Sequence, residues 1–283
     1  MTHPLRLHAV AAPEFNLAIT LASGQVFHWI PQGAGYAGAI DMTPAYVEQK
    51  GDRLFTTAEP ALVARYFALD HPLAEIYGSF PTDPVMAAAL EHCRGLRIIR
   101  QPAWECLATF ITSSMKQVAH IAQISHTLRA RYGQPLPGPG RPFGYPSPAR
   151  LAALQEEELR ACALGYRART LLKTARMIAS GEVDLEATRS LPDDKARMEL
   201  CRLAGVGEKV ANCVLLFAYE RVQAFPIDVW IDRVLRENYF SGKRKKVTAR
   251  SVRDFSQKYF GEFGGYAQQY LFHHARTARR KKP

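Results

Sequence analysis

Apolar positions along the chain follow two periods, a short one up to about Phe80 and a helical one from about Pro84 onward. Leu17, Ile19 and Leu21 alternate with Ala18 and Thr20, the spacing of a half-buried strand. Ser23-Gly24 then turns the chain into Val26-Phe27-His28-Trp29. Ala45-Tyr46-Val47 and Leu54-Phe55-Thr56 flank Lys50-Gly51-Asp52, which predicts a β-hairpin. The first helix is expected after Pro60, because proline suits a first helical turn. Val118, Ile121, Ala122, Ser125 and Leu128 then fall on one helical face, predicting an amphipathic helix that stops near Gly133. Pro135, Pro137, Pro139, Pro142, Pro146 and Pro148 stand among glycines, a density that permits no helix and predicts a surface loop. Short helical stretches follow to the end, with no repeat of fixed period. The expected fold is α+β: an antiparallel sheet domain over 1–83, then a mostly helical, two-lobed body over 84–283.

Composition adds one strong bias. The 283 residues carry 37 Lys and Arg against 26 Asp and Glu, a net charge of +11 that suits a polyanion-binding surface. The basic loop Lys243-Arg244-Lys245-Lys246 and the tail Arg279-Arg280-Lys281-Lys282, expected to fray, contribute to it. The cysteines, Cys93, Cys106, Cys162, Cys201 and Cys213, are odd in number and include no CxxC pair. Neither a disulfide framework nor a zinc or iron–sulfur site is therefore expected. Met1–Pro13 lacks the apolar stretch of a signal peptide, and no run approaches a membrane span. The expectation is a protein that is not secreted, working in a reducing compartment: cytoplasm or nucleoid in a bacterium, nucleus in a eukaryote.

The most informative segment is Leu203-Ala204-Gly205-Val206-Gly207-Glu208-Lys209-Val210-Ala211. Two glycines one residue apart turn the chain between helical stretches, a helix–hairpin–helix pattern over about 194–220. The turn leaves bare N–H groups at a helix start, where a phosphate can approach. On the second helix Val210, Val214, Phe217 and Ala218 form an apolar face, and Lys209 lies about 100° round from Val210. Most helix-start lysines are merely solvated. A cation here, however, opposes the positive end of the helix dipole, which favours the neutral amine a nucleophile must be.

Its candidate partner stands in Phe225-Pro226-Ile227-Asp228-Val229-Trp230. Asp228 is placed to cap the helix that follows, and as a carboxylate at a helix start it is expected to stay ionised. It could then accept the lysine's proton or stabilise cationic character on a sugar, and capping does not exclude either role.

These residues resemble the helix–hairpin–helix DNA glycosylases, most closely their 8-oxoguanine DNA glycosylase branch. The likeness runs from about Phe15 to Phe272 and includes SGQVFHW at Ser23–Trp29, QPAWECLATFITSS at Gln101–Ser114, LGYRAR at Leu164–Arg169 and AQQYLF at Ala267–Phe272. The resemblance implies that Lys209 attacks the sugar at C1′ and nicks the strand by β-elimination, with Asp228 as the catalytic aspartate. It implies that the Gly24 carbonyl senses the N7–H of 8-oxoguanine, that Gln268 reads the Watson–Crick edge, and that Cys213 and Phe272 sandwich the base. Tyr166 is implied as the wedge beside the flipped nucleotide, with Arg167 next to it and Arg169, Gly205 and Gly207 on the DNA. Spacing agrees: Gln268 and Phe272, like Lys209 and Cys213, are i, i+4 pairs that one helix presents to one pocket. The bland alternatives are core packing for Cys213, Phe272 and Tyr166, a surface position for Gln268, and a solvated phosphate-facing pair in Arg167 and Arg169. The implied partner is duplex DNA containing oxidised guanine, bound by a monomer with no cofactor. A cation on hairpin carbonyls is implied by resemblance alone, since no side-chain ligand set supports one.

Two competing classes remain: a glycosylase for alkylated or mispaired purines, against which Lys209 argues, and a non-enzymatic DNA-binding module. The chain also departs from the family pattern, with Met115 in place of an asparagine and His120 in place of an arginine that reads the opposing cytosine. A thioether cannot make an amide's paired hydrogen bonds. Excision opposite all four bases is therefore expected at comparable rates. A panel of lesion duplexes would refute this with a rate opposite cytosine tens of times faster than the others.

Overall fold

The computed structural model describes residues 6–113, 117–241 and 247–278. Met115, the 243–246 basic loop and the 279–282 tail lie outside the described residues. The strands are β1 (His8–Ala11), β2 (Ile30–Gln32), β3 (Gly35–Ile40), β4 (Thr43–Lys50) and β5 (Arg53–Thr56). They form one antiparallel sheet in the order β1-β5-β4-β3-β2. The Lys50–Asp52 turn joins β4 to β5, with Lys50 opposite Arg53, as the hairpin pattern predicts.

The helices are α1 (Leu17–Ala22), α2 (Pro60–Tyr66), α3 (Leu73–Ser79), α4 (Pro84–Cys93), α5 (Ala103–Thr112), α6 (Val118–Tyr132), α7 (Pro148–Ala152) and α8 (Glu156–Leu159). A wide turn, Arg160–Leu164, leads on to α9 (Arg167–Ala179), α10 (Leu185–Arg189), α11 (Asp193–Cys201) and α12 (Glu208–Phe217). The chain ends in α13 (Val229–Tyr239), α14 (Ala249–Phe260) and α15 (Gly264–Ala278).

One expectation fails at the start. Leu17–Leu21 is a helix, not a strand, so the first helix precedes Pro60. The cause is local: Asn16 Oδ1 accepts from Ile19 N at 3.0 Å and caps α1, and Leu17, Thr20 and Leu21 then share its buried face. The two-residue alternation was compatible with this helical spacing, and the cap decided between them. Pro60 does occupy the first turn of α2, and α6 ends at Gly133. The proline-rich segment up to α7 carries only an isolated bridge between Pro135 and Phe143.

The core is in two parts. A smaller cluster lies under the sheet and includes Val47, Leu54, Val63, Phe67 and Ile99. A larger one, from Leu73 to Leu271, fills the helical body. They are joined by polar contacts at the segment entering α5. Arg100 pairs with Asp70 at 2.5 Å and with Glu220 at 2.6 Å, and Arg65 of α2 reaches the same Glu220 at 2.7 Å. Gln101 N donates to Phe217 O at 2.8 Å, tying the same segment to the end of α12. A second joint is buried: Glu105 on α5 accepts from Arg129 on α6 and lies 3.3 Å from His28 Nδ1.

Helix α15 approaches α12 through Gly265. A Cβ there would stand 2.3 Å from Leu216 Cδ1, 2.7 Å from Val222 O and 2.8 Å from Ala224 O. The leucine tip could move; the two carbonyls belong to the backbone and could not. Gly265→Ala is expected to destabilise the protein by about 1–3 kcal/mol through overpacking, seen as a fall of several degrees in Tm. An unchanged melting curve would contradict this close approach.

Candidate active site and DNA interface

Helix α12 carries the reactive candidate. Gly207 precedes it as N-cap, exposed and open enough that an added Cβ would meet nothing within 4 Å. Gly205 is tighter. It has φ of +75°, and a Cβ would stand 2.0 Å from Thr170 Cγ2 on α9. Glycine is thus required twice at this position, for its backbone and for its contact. That contact sets the hairpin beside the helix led by Tyr166. The hairpin carbonyls of Leu203 and Ala204 already accept from Val206 N at 3.2 Å and Thr174 Oγ1 at 2.8 Å. A cation of the kind the resemblance implies would have to share them.

Lys209 is half-buried. Its Nζ lies over the Phe110 ring, 4.8 Å from the centroid, and donates to Ser113 Oγ at 3.3 Å. Phe110 is fixed in turn by stacking on Phe217 at 5.4 Å and by the edge of Phe27 at 6.4 Å. One turn along α12 from the lysine, Cys213 is buried at 2% exposure. Burial pushes its thiol up to about 11, against the pull of Lys209 and with the repulsion of Asp228. Lys209 and Cys213, four residues apart on α12, face the same side of that helix.

Asp228 caps α13, and its Oδ1 accepts from both Trp230 N (3.0 Å) and Ile231 N (2.9 Å). Capping by one oxygen leaves Oδ2 for the site. Burial lifts the carboxyl above its ordinary range, and the bonds from Ile231 N and Trp230 N and the charge of Lys209 only partly offset this. Among the described residues no salt bridge joins Lys209 to Asp228; the lysine acts on the carboxyl as a charge at a distance.

The base-reading candidates meet on a second wall. Gly24 has φ of +84°, and a Cβ there would stand 3.1 Å from Phe272 Cε1 and 3.8 Å from Val118 Cγ2. The Ser23-Gly24 turn, α15 and the start of α6 thus converge. Gln268, 4% exposed, keeps a buried Oε1 with no hydrogen-bond partner among the described residues, an arrangement that costs free energy unless a ligand supplies a donor. His120 is exposed in the first turn of α6.

On the outer face Tyr166 is 63% exposed, mounted at the N-cap of α9 after two left-handed residues, Ala163 (φ +62°) and Gly165 (φ +58°). Arg169 is exposed nearby in sequence. Arg167 differs from the reading of a solvated pair. It is 5% exposed, with its guanidinium 4.4 Å from the Tyr166 centroid, so it props the ring from within. The sequence reading also missed Ser113 and Phe110, which hold the lysine, and Gln25, Gln269 and Arg276 around the Gly24 turn. Gln25, Phe110, Ser113 and Gln269 all lie in the quoted runs at 23–29, 101–114 and 267–272 and could have been noticed there; nothing local marks Arg276.

Residues 8–107 match the 8-oxoguanine DNA glycosylase N-terminal domain, and residues 108–258 match the HhH-GPD superfamily of base excision DNA repair proteins. The chain belongs to the HhH-GPD superfamily of base excision DNA repair proteins. Within it, the chain is 31% identical to an N-glycosylase/DNA lyase of Arabidopsis thaliana, covering 92% of this chain and 77% of that one. It is 29% identical to a probable N-glycosylase/DNA lyase of Methanothermobacter thermautotrophicus, covering 94% of this chain and 95% of the relative. Among solved structures, the 8-oxoguanine glycosylase/lyase of Clostridium acetobutylicum, bound to double-stranded DNA with cytosine opposite 8-oxoguanine, superposes with a TM-score of 0.87. That pair is 29% identical and covers 94% of this chain and 93% of the other.

The raised pKa of Asp228 has a stability consequence. The folded state binds its proton more tightly than the unfolded chain does, so stability is lost as pH rises through the folded-state pKa. Asparagine caps a helix about as well as aspartate. Asp228→Asn is therefore expected to melt at or above the wild-type temperature at neutral pH, the difference vanishing in acid. A variant markedly less stable than wild type at pH 7 would contradict the burial argument.

Proposed function

We propose that this protein excises 8-oxoguanine from duplex DNA and cuts the strand at the resulting abasic sugar, with Lys209 as nucleophile. The observation that carries the reading is a half-buried Lys209 whose Nζ is held over the Phe110 ring and against Ser113 Oγ, one turn along α12 from the buried Cys213. A glycine turn packed against Phe272 and a buried amide oxygen lacking a donor support it.

Duplex DNA lies on the face that carries the bare hairpin, Arg169 and Tyr166. Hairpin N–H groups take backbone phosphates, and Tyr166 fills the gap left by the extruded nucleotide. The lesion enters between Cys213 and Phe272. Its Watson–Crick edge supplies the donor that Gln268 Oε1 lacks, and its N7–H meets the Gly24 carbonyl. Unmodified guanine has a lone pair at N7 instead, which that carbonyl repels.

The chemistry then needs an uncharged amine. Asp228 takes a proton from Lys209, Nζ attacks C1′ as the bond to the base breaks, and the departing base takes up the proton that Asp228 holds. Giving up that proton restores the Asp228 carboxylate, which lowers the energy of positive charge left on the sugar. The attached amine gives up a proton and the ring oxygen takes one as the C1′–O4′ bond breaks, which leaves an imine on Nζ. Loss of a C2′ proton then expels the 3′ phosphate, and water frees the lysine. Because ionised Asp228 is required and burial raises its pKa, activity falls on the acid side above the ordinary carboxylate range.

Borohydride reduction should trap a covalent protein–DNA adduct with wild type, since only an amine nucleophile forms a reducible imine. Lys209→Gln should give no adduct and lose at least about a thousandfold in cleavage while keeping DNA affinity. An adduct in the variant, or none in wild type on lesion or abasic duplexes, would refute the assignment.

A further inference from the structure

The turn bearing Gly24 is clamped by the same helix that bears Gln268 and Phe272. Helix α15 sends two side chains to consecutive carbonyls just ahead of Gly24. Arg276 Nη2 donates to Ala22 O, and Gln269 Nε2 donates to Ser23 O at 2.8 Å. Gln269 is 2% exposed and Ser23 is fully buried, so the second contact excludes water. Arg276 also lies over the Phe272 ring, 5.7 Å from its centroid.

The other side of the turn is fixed as well. Gln25, fully buried, donates to Ser23 Oγ (2.9 Å) and Arg97 O (2.8 Å), and its Oε1 accepts from Ile99 N at 2.8 Å. Gln101 Nε2 donates to Gln25 O at 2.9 Å. Gly24 thus sits between neighbours held on both sides, with its Cα against Phe272.

We propose that Gln269 and Arg276 are positioning residues that set the register between the Gly24 carbonyl and the Gln268–Phe272 face. They thereby determine how well the pocket distinguishes an oxidised purine from its unmodified parent. The proposal rests on the reading of the pocket given above. Its physical basis is the short range of the signal: an N–H···O bond forms between about 2.7 and 3.2 Å, so a small shift of the turn removes the contact with N7–H. Gln268 and Gln269 are adjacent on α15, about 100° apart around the helix. One serves the base while the other holds the turn that inspects it, so both halves of the recognition surface move together.

An abasic duplex separates this role from general damage, because it needs Lys209 and Asp228 but presents no base to read. Single-turnover excision of 8-oxoguanine and cleavage of a preformed abasic site are compared in wild type, Arg276→Met, Arg276→Lys and Gln269→Leu. Excision should fall by about tenfold or more in Arg276→Met and Gln269→Leu, in line with the cost of small misplacements. Arg276→Lys, which keeps a cation and a donor, should recover part of that loss. Abasic-site cleavage should stay within about twofold of wild type in all three. Arg276 lies partly at the surface, so Arg276→Met tests the clamp even if Gln269→Leu fails to fold. Unchanged excision in a folded Arg276→Met, or equal loss of both reactions, would overturn the clamp. A wild type that cleaves abasic sites but leaves 8-oxoguanine untouched would instead overturn the substrate assignment beneath it.

Discussion

Helix α12 has to satisfy two incompatible environments, and most of the structure follows from how it does so. It begins at Gly207, bare to solvent, and ends at Phe217, buried and bonded to the segment that enters α5. A lysine in its first turn is therefore near enough to the surface to meet DNA and near enough to the core to be held. Phe217 stacks on Phe110, and Phe110 lies under the Lys209 ammonium, so the far end of the helix helps to place the amine at its start. The Gly265 contact then brings α15, and with it Gln268 and Phe272, against the same helix.

The electrostatics of the site are set by burial more than by pairing. Among the described residues no salt bridge neutralises Asp228; a single oxygen satisfies the helix cap, and the protein accepts a carboxyl whose ionised form is disfavoured. A directly paired, solvated aspartate would hold its charge more easily but would be a poorer proton acceptor, because its basicity would be lower. Several acid groups elsewhere are paired: Asp70 and Glu220 in the joint with Arg100 and Arg65, Glu105 with Arg129, Glu208 with Arg253. Each pair uses a cation as well, so what an approaching polyanion encounters is the excess of 37 Lys and Arg over 26 Asp and Glu.

What could be read from the chain alone was whatever local chemistry determines. The β4–β5 hairpin, the proline start of α2, the reach of α6 to Gly133 and the turn at Gly205–Gly207 each depend on a few adjacent residues, and the sequence carries them openly. Lys209 and Asp228 could be paired because a helix start marks each. Leu17–Leu21 misled because a six-residue segment fits both periods and Asn16 outweighs them. Arg167 misled because the turn through Ala163 and Gly165 rotates α9 so that its first arginine points inward. Ser113, Gln269 and Arg276 act across long stretches of chain, and only the packing of α5 and α15 gives them partners.

The joint built from Arg100, Asp70, Glu220 and Arg65 binds the sheet layer to the far end of α12, and Glu105 with Arg129 and His28 binds it again from below. These contacts oppose a parting of the two cores. The cost of drawing a nucleotide out of the stack is met within the duplex, and a lesion that already loosens its base pair lowers that cost before any contact with the damaged ring.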